Sequence, residues 1–321
     1  VSVMEAIKDY IHENMIIILE STTYPGSTKE LILPYIKNDN LIPGKNIFLC
    51  FSPERIDPGN KKYNTSNTPK VIGGISEFCS EIGEKLYSTI IKNIIKVSSP
   101  ETAEMVKLLE NTFRAINIGL ANEFAEFAES QEIDIYQVIE ASNSQPFSYI
   151  HQPGIAVGGH CIPVYPKFYL STAPNSKIPL TAIEVNESVA ERAVEKIRNR
   201  IDSLKGLRAV ILGASYRGGV KETSFSGVYR ISDALEKNEA NVLVHDPLFE
   251  NKELSNLGFK PYNFGEICDV AILQAEHNQY LKITPEDMPG IKLMYDGRNF
   301  LNSDNWESID FLRIGGFTES K

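Results

Sequence analysis

Cysteine is scarce. Four residues in 321, Cys50, Cys79, Cys161 and Cys268, lie far apart and form no C-x-x-C pair. That excludes a disulfide-stapled scaffold and argues against a structural zinc centre, so no metal is expected, and it suits a reducing cytoplasm. Positive charge is also short. Against 42 Asp and Glu stand 32 Lys and Arg, a net charge of −10, so nucleic acid is not an expected partner. Long apolar runs are missing as well: the longest, "MIIIL" at 15–19, falls far below the roughly 20 residues of a membrane-spanning helix, so no membrane association is expected. No signal-peptide layout, internal repeat or low-complexity tract is visible.

What remains is globular material, 42% apolar and 23% charged, of a length that predicts about two domains. Residues 1–97 alternate: a helix pattern over 3–12, the strand "MIIILE", the turn "STTYPGS", a helix over 28–36 and the strand "NIFLCF". The loop "SPERIDPGNKKYNTSNTPK", the strand "VIGG", a helix over 76–91 and "IIKVS" follow. Such alternation predicts βαβ units and a parallel sheet. From 98 the pattern is helical for about 30 residues, roughly 45 Å at 1.5 Å per residue, with Ser99 as cap and Pro100 at the first helical position. Further helices are predicted over 135–142 and 178–204, and such long helices suit a subunit interface. Residues 205–321 return to βα alternation in "LRAVILGASYRGG", a helix over 227–238, "NVLVHDP", "DVAILQAEH" and "IKLMYDGRN". The expected layout is α/β, a helical middle, then α/β.

The stretch "GGHCIPVYP" sets Cys161 between a glycine pair and two prolines. Gly158 and Gly159 permit close approach or positive φ, while Pro163 and Pro166 fix φ and remove donors, which predicts a stiff loop rather than helix or strand. A rigid loop holding one thiol suits a nucleophile, and it equally suits a turn whose cysteine fills a pocket. His160 adjoins Cys161, but neighbours in an extended loop point to opposite sides, so a protease-like Cys–His pair is not supported.

On the long helix, Glu104, Lys107, Asn111 and Arg114 share one face, and the apolar Met105, Val106, Leu108, Leu109 and Phe113 around them predict burial. The polar stripe is either a solvated face or an enclosed one. If enclosed, Lys107 and Asn111, one turn apart, can together hold an oxyanion or a water. The hydroxyls of "STTYPGST" suit phosphate or water, and equally a turn or a helix cap. Glu54 and Asp57 in "SPERIDPG" stand past a strand end, as a general base or, with Arg55, as a surface pair. "GASYRGG" with Arg217 is a weak phosphate cradle. Asp246, His277, Asp296 and Arg298 stand at carboxyl ends of strands, where open α/β sheets bind ligands. His151 lies on a loop, its role open.

In collinear order, "ESTTYPGST", "SPERIDPGN", "NTPKVIGG", "AEMVKLLENTFRAINIGLANE", "PGIAVGGHCIPVYP", "GASYRGGVKETSFSG" and "YDGRN" resemble the UDP-glucose/GDP-mannose dehydrogenase family, nearest to members that oxidise UDP-N-acetyl-hexosamines. The resemblance implies two Rossmann-like domains joined by a long central helix that builds a homodimer. Residues 1–97 would be the second half of the NAD-binding domain, 98–204 the central helical domain with the cysteine loop, and 205–321 the UDP-sugar domain. The implied reaction takes the C6 alcohol of a UDP-sugar, UDP-N-acetyl-mannosamine first, to the carboxylate with two NAD in succession.

By that resemblance Cys161 captures the aldehyde as a thiohemiacetal that becomes a thioester, and Lys107 and Asn111 stabilise the oxyanion, Lys107 also favouring the thiolate. Glu54 activates the hydrolytic water, and Thr22 holds that water or the substrate hydroxyl. Arg298, Arg114, His151, Gly158, Gly159 and Tyr165 surround the substrate, while Thr22, Glu54 and Arg217 reach the cofactor. Two positions depart from the pattern: Tyr165 replaces the Asp usually found four residues after the cysteine, and "KETSFSG" lacks the usual arginine near Ser224. The family's G-x-G-x-x-G turn and the acid that follows it are also absent from this chain, which opens "VSVMEAIKDYI" without an initiator Met. Only the second half of the NAD domain is therefore expected here, with weak binding of NAD by these residues alone. A second reading is a dimer that holds a nucleotide sugar without oxidising it. A third, a cysteine hydrolase, lacks a placed histidine base.

Overall fold

Short runs of β-branched and aromatic residues form two separate sheets, one in each unit of the chain. The first unit is Val1–Thr112 with Tyr165–Pro174, the second Phe113–Val164 with Asn175–Lys321. The computed structural model describes residues 1–36, 40–56 and 62–316.

In the first unit, α1 (Ser2–Ile7) and a short 3₁₀ turn precede β1 (Ile16–Leu19). A π-helical turn runs into α2 (Leu33–Ile36), followed by β2 (Phe48–Phe51), β3 (Lys70–Gly74), α3 (Glu77–Tyr87) and β4 (Ile94–Lys96). The strands lie in the order β1-β2-β3-β4. β1 with β2 and β3 with β4 are parallel, but β2 and β3 run antiparallel, where alternation predicted parallel pairing throughout. The reason is the connection: among the described residues no helix lies between β2 and β3, and parallel neighbours need a crossover. Ile36, Ile47 and Leu49 fill one face of this sheet, Cys50, Ile72 and Cys79 the other.

Helix α4 (Pro100–Ser130) begins in the first unit and continues into the second. Ser99 Oγ accepts the Thr102 N–H at 3.2 Å, and Pro100 opens the helix, as its sequence predicts. The burial predicted for its apolar residues is only partly found. Leu108 is inside, but Met105, Leu109 and Phe113 are exposed, and with Leu120, Phe124 and Phe127 they form a stripe of residues 44–67% exposed. Their spacing of three, four or seven keeps them on one face. Apolar residues cover more of the circumference than the described residues cover in turn.

The second unit contains α5 (Ile135–Asn143), the start of α6 (Cys161–Thr172), α7 (Lys177–Ile201), β5 (Arg208–Leu212), α8 (Gly227–Lys237), β6 (Asn241–His245), α9 (Asn251–Asn256), β7 (Val270–Leu273), β8 (Leu293–Asp296) and β9 (Asp310–Arg313). All pairings are parallel, in the order β6-β5-β7-β8-β9. The chain passes from β5 to β6 on one side and then returns past β5 to β7 on the other, which makes the β5/β7 boundary a topological switch point. α4 and α7 cross closely, since a Cβ at Gly119 would stand 3.2 Å from Ala182 Cα. A buried amide ladder adds to the contact: Asn122 Nδ2 donates to Asn186 Oδ1 and Asn186 Nδ2 to the Ala115 carbonyl, both at 2.9 Å.

The cysteine segment differs from the stiff loop its prolines predicted, because a helix begins at Cys161 itself. Pro163 falls in the first turn, where the missing N–H has no intrahelical acceptor, and only Pro166 removes an internal hydrogen bond.

Candidate active site

In the first unit, polar groups gather past the carboxyl ends of β1 and β2 and on the first turns of α4. Glu104 is fully buried, and its carboxylate accepts the Gly26 N–H at 2.5 Å, Ser27 Oγ at 3.0 Å, the Thr28 N–H at 2.9 Å and Thr28 Oγ1 at 2.6 Å. Four hydrogen bonds compensate for burying the charge and tie the turn after β1 to α4. The hydroxyls of Ser27 and Thr28 are thus structural. Thr22, half-buried, has an unpartnered hydroxyl among the described residues.

Glu54 Oε1 accepts the N–H groups of Arg55 and Ile56 at 2.8 and 2.6 Å, and Oε2 pairs with Lys70 Nζ at 3.1 Å. Partial burial pushes its pKa up, but the Ile56 N–H and Lys70 outweigh that and hold the carboxyl below its ordinary value. Arg55 is not its side-chain partner; the guanidinium goes to Glu110 at 2.6 Å and the Pro69 carbonyl at 2.9 Å. Asp57 lies outside the described residues. Lys107, half-buried one turn beyond Glu104, has no partner for its ammonium among the described residues.

In the second unit, the segment leading to Cys161 runs over the carboxyl ends of the sheet. The Ile155 N–H donates to the Gly297 carbonyl at 2.9 Å. A Cβ at Gly154 would stand 2.8 Å from Arg298 Nη1, and one at Gly158 would stand 2.7 Å from Tyr216 Cβ. Gly159, at φ 80°, donates its N–H to the Ser224 carbonyl at 3.0 Å. The glycine pair therefore seats the loop on Tyr216, and the Gly159 amide expected to approach substrate is already bonded. His160 Nε2 meets Glu222 Oε1 at 3.2 Å.

Cys161 follows, exposed at the first position of α6, while Cys50, Cys79 and Cys268 are buried. Burial pushes the Cys50 and Cys268 thiols up to about 12. Cys161 is not a pocket filler, and a negative charge on its sulfur would meet the positive end of a helix.

Two acids expected to meet ligand are instead loop clamps. Asp246 accepts the N–H groups of Ala214, Ser215 and Leu248 at 2.8–2.9 Å. His277 Nε2 lies 3.1 Å from Asp246 Oδ2, and its Nδ1 accepts the Gly219 N–H, which leaves Nε2 as the donor. Burial would raise the Asp246 pKa, but these bonds, His277 foremost, hold it below its ordinary value. Asp296 accepts the N–H groups of Arg298, Phe300 and Leu301 at 2.7–2.9 Å. Here burial wins, and the pKa is raised.

Arg298 is anchored through Nε to the Gln274 carbonyl at 2.6 Å, leaving its Nη nitrogens without hydrogen-bond partners among the described residues. Arg217 lies over the Tyr216 ring at 5.7 Å. His151 is held below its ordinary pKa by burial and by the charge of exposed Arg114. Tyr165 stacks on Phe168 within α6, ring centroids 6.0 Å apart, and brings no carboxylate.

A cavity of about 580 Å³ at the β5/β7 switch point is lined by Gly218, Gly219, Leu248, His277 and Lys282, among others. A second, of about 610 Å³, holds Lys196, Arg200 and Arg313, already paired with Glu129, Asp310 and Asp134, so it offers a ligand little free charge.

Five buried side-chain polar atoms lack any hydrogen bond among the described residues: Asn111 Nδ2, Thr112 Oγ1, Ser215 Oγ, Gln274 Oε1 and Glu276 Oε2. Buried polar groups are nearly always paired, so each exception calls for a reason. None of the five is scattered. Two lie on α4 about one turn past Lys107, and three lie past the carboxyl ends of β5 and β7; of these Gln274 bonds Arg298 through its carbonyl, and Glu276 Oε2 stands 3.7 Å from Arg298 Nε as an ion pair.

Comparison with known proteins gives these clusters a family. Residues 1–91 match the NAD binding domain of the UDP-glucose/GDP-mannose dehydrogenase family, 101–192 its central domain and 210–303 its UDP binding domain. A UDP-N-acetyl-D-mannosamine dehydrogenase of Methanocaldococcus jannaschii is 34% identical over 316 residues, covering 96% of this chain and 71% of that protein. This chain belongs to the UDP-glucose/GDP-mannose dehydrogenase family. The solved UDP-N-acetyl-mannosamine dehydrogenase of Staphylococcus aureus superposes with a TM-score of 0.83 at 29% identity, over 98% of this chain and 74% of that one. The solved enzyme of Pyrococcus horikoshii gives 0.84 at 27%, over 98% and 76%.

The resemblance drawn from the sequence motifs, the α/β class and the dehydrogenase activity stand on these matches, and the cofactor is NAD. Thr22 lies past the carboxyl end of β1, the end at which parallel sheets receive ligands, and its hydroxyl has no partner among the described residues. No helix among the described residues is long and apolar enough to cross a membrane, and no cluster there could hold a metal ion. Glu104, Tyr216 and the Asp246–His277 pair are positioning residues that motif reading alone does not assign.

Proposed function

We propose that this chain oxidises C6 of UDP-N-acetyl-mannosamine to the carboxylate through covalent capture on Cys161. One observation carries the reading: the five buried polar atoms that lack a hydrogen bond among the described residues lie in the two clusters that carry the motifs, and the one exposed thiol ends the loop seated on the second.

NAD, when bound, would accept the two hydrides removed per sugar; the first leaves C6 of the alcohol as its hydroxyl proton passes to solvent, which gives the aldehyde. The Cys161 sulfur adds to the aldehyde carbon, forming a C–S bond and moving the carbonyl electron pair onto oxygen. Lys107 and Asn111 Nδ2, two donors without a partner among the described residues, would supply hydrogen bonds to that oxyanion. Loss of the second hydride leaves a thioester. Water attacks it, Glu54 takes the water proton, and the Cys161 thiolate departs. Glu54 is suited by being ionised at neutral pH, though its lowered pKa makes it a modest base. Thr22 holds the water or the substrate hydroxyl. The free Nη nitrogens of Arg298 suit the nucleotide end, with Arg217 toward the diphosphate or the cofactor. Arg114, His151 and the Gly158–Gly159 segment border the substrate, as does Tyr165 in place of the usual Asp.

The exposed stripe on α4 supports a homodimer built on that helix. Unpaired cysteines and an NAD-linked reaction suit the cytoplasm.

The test is turnover of UDP-N-acetyl-mannosamine with NAD, which should yield two NADH per sugar. Tight UDP-sugar binding without NADH formation would favour the non-oxidising dimer instead.

A further inference from the structure

Six non-glycine residues have positive φ among the described residues: Asn14, Glu132, Asp202, Phe225, Glu239 and Asn299. Five are polar residues in turns, beyond helix ends or, for Asn299, in the bend after β8. Phe225, at φ 52°, is the exception, an aromatic in a region that bulky side chains avoid. Burial does not compensate, since the side chain is 54% exposed. Its ring meets His160, the residue before Cys161, edge-on at 5.7 Å.

The backbone there is needed. The Phe225 carbonyl would stand 3.0 Å from a Cβ at Gly158. On either side, the Ser224 carbonyl accepts the Gly159 N–H, and Ser226 caps α8 by accepting the Val228 N–H at 3.3 Å. The fold thus requires this left-handed conformation, which glycine adopts without strain, yet the sequence places a large apolar ring there. A strained residue whose side chain the fold leaves half-exposed, at the loop that carries the nucleophile, is the pattern of a group retained for function.

We infer that Phe225 is a specificity-determining residue, its ring a flat apolar wall for a six-membered ring of the reacting ligands. Aromatic faces take both the C–H face of a pyranose and a planar heteroaromatic ring, so the sugar and the nicotinamide share this chemistry. The inference rests on the oxidation proposed above.

The test compares Phe225→Gly, Phe225→Leu and Phe225→Tyr with the wild type in Tm, oligomeric state, UDP-sugar Kd without NAD, and KM for each ligand. Phe225→Gly should keep its Tm or gain about 1–3 °C from relieved strain, while KM for one ligand rises about tenfold, the order of an aromatic contact. Phe225→Leu should raise the same KM without the gain in Tm, and Phe225→Tyr, which keeps the ring, should restore it. A parallel rise in UDP-sugar Kd assigns the contact to the pyranose; a rise in the KM for NAD alone assigns it to the nicotinamide. A lower Tm in Phe225→Gly, loss of the dimer, or unchanged KM values would overturn the inference. A wild type that forms no NADH overturns the function as well, whereas unchanged KM values in an active wild type remove this inference alone.

Discussion

Glu104 holds the turn after β1 with four hydrogen bonds, whereas Gly154 and Gly158 hold the segment before Cys161 by close contact with Arg298 and Tyr216. One cluster is positioned by polar groups and the other by the absence of side chains. Each leaves its chemistry-bearing groups free: Lys107 and Asn111 Nδ2 in the first, the Cys161 thiol and the Arg298 Nη nitrogens in the second. The clamps are satisfied, while Lys107, Asn111 Nδ2 and the Arg298 Nη nitrogens are not; Glu54, assigned to the reaction but held by two N–H groups and Lys70, is the exception. Substitutions should therefore split into those that lose activity at no cost in stability and those that lose both.

The sharpest split is expected at Lys107 and Asn111. Lys107→Met should lower kcat about 10²–10³-fold, as loss of an oxyanion donor does, with Tm unchanged because the ammonium has no partner among the described residues to lose. Asn111→Leu should also lower kcat, yet raise stability by about 1 kcal/mol by removing an unsatisfied buried amide. A large fall in Tm in either variant would mean that these groups serve the fold. Next comes Gly158→Ala. A Cβ there presses on Tyr216 and the Phe225 carbonyl, and displacing the thiol by about 1 Å should cost about 10² in kcat, with overpacking costing about 1–3 kcal/mol.

Glu104→Gln probes the hydrogen-bonded cluster. With the amide oxygen kept toward Ser27 and Thr28, the NH2 faces the Gly26 N–H, donor against donor, so about 1–3 kcal/mol of stability should be lost and kcat/KM should fall about tenfold, roughly 1.4 kcal/mol. Thermal melts and steady-state kinetics separate the two losses. Equal Tm for variant and wild type would remove the clamp. The smallest effect is the pH dependence of Asp246. Its folded pKa lies below the unfolded value of about 3.9, so its stabilisation is present above that pH and fades as pH falls through the folded pKa. Tm measured downward from pH 5 should drop more steeply below about 4 in the wild type than in Asp246→Asn, given that reference value.

The long helix, its Ser99 cap and strands β1 to β8 were legible from periodicity, since local spacing specifies them; the edge strand β9 was not foreseen. What escaped the sequence depends on distant partners. Glu104 meets residues 76 to 78 positions away, a distance at which nothing in the helix pattern distinguishes it from a solvated stripe. Asp246 and Asp296 look like ligand groups at strand ends until their loops fold back and supply backbone donors. The exposure of Met105, Leu109 and Phe113 was invisible because an apolar helix face reads the same whether its own chain or another copy covers it. The helix starting at Cys161 was hidden by prolines whose cost depends on their position within the turn.

The most direct test of the central claim is product stoichiometry in Cys161→Ala, with UDP-N-acetyl-mannosamine, NAD and a hydrazine trap. The account predicts two NADH per sugar and no trapped aldehyde in the wild type, but at most one NADH per sugar and a trapped aldehyde in the variant. Two NADH per sugar from Cys161→Ala at the wild-type rate would contradict it.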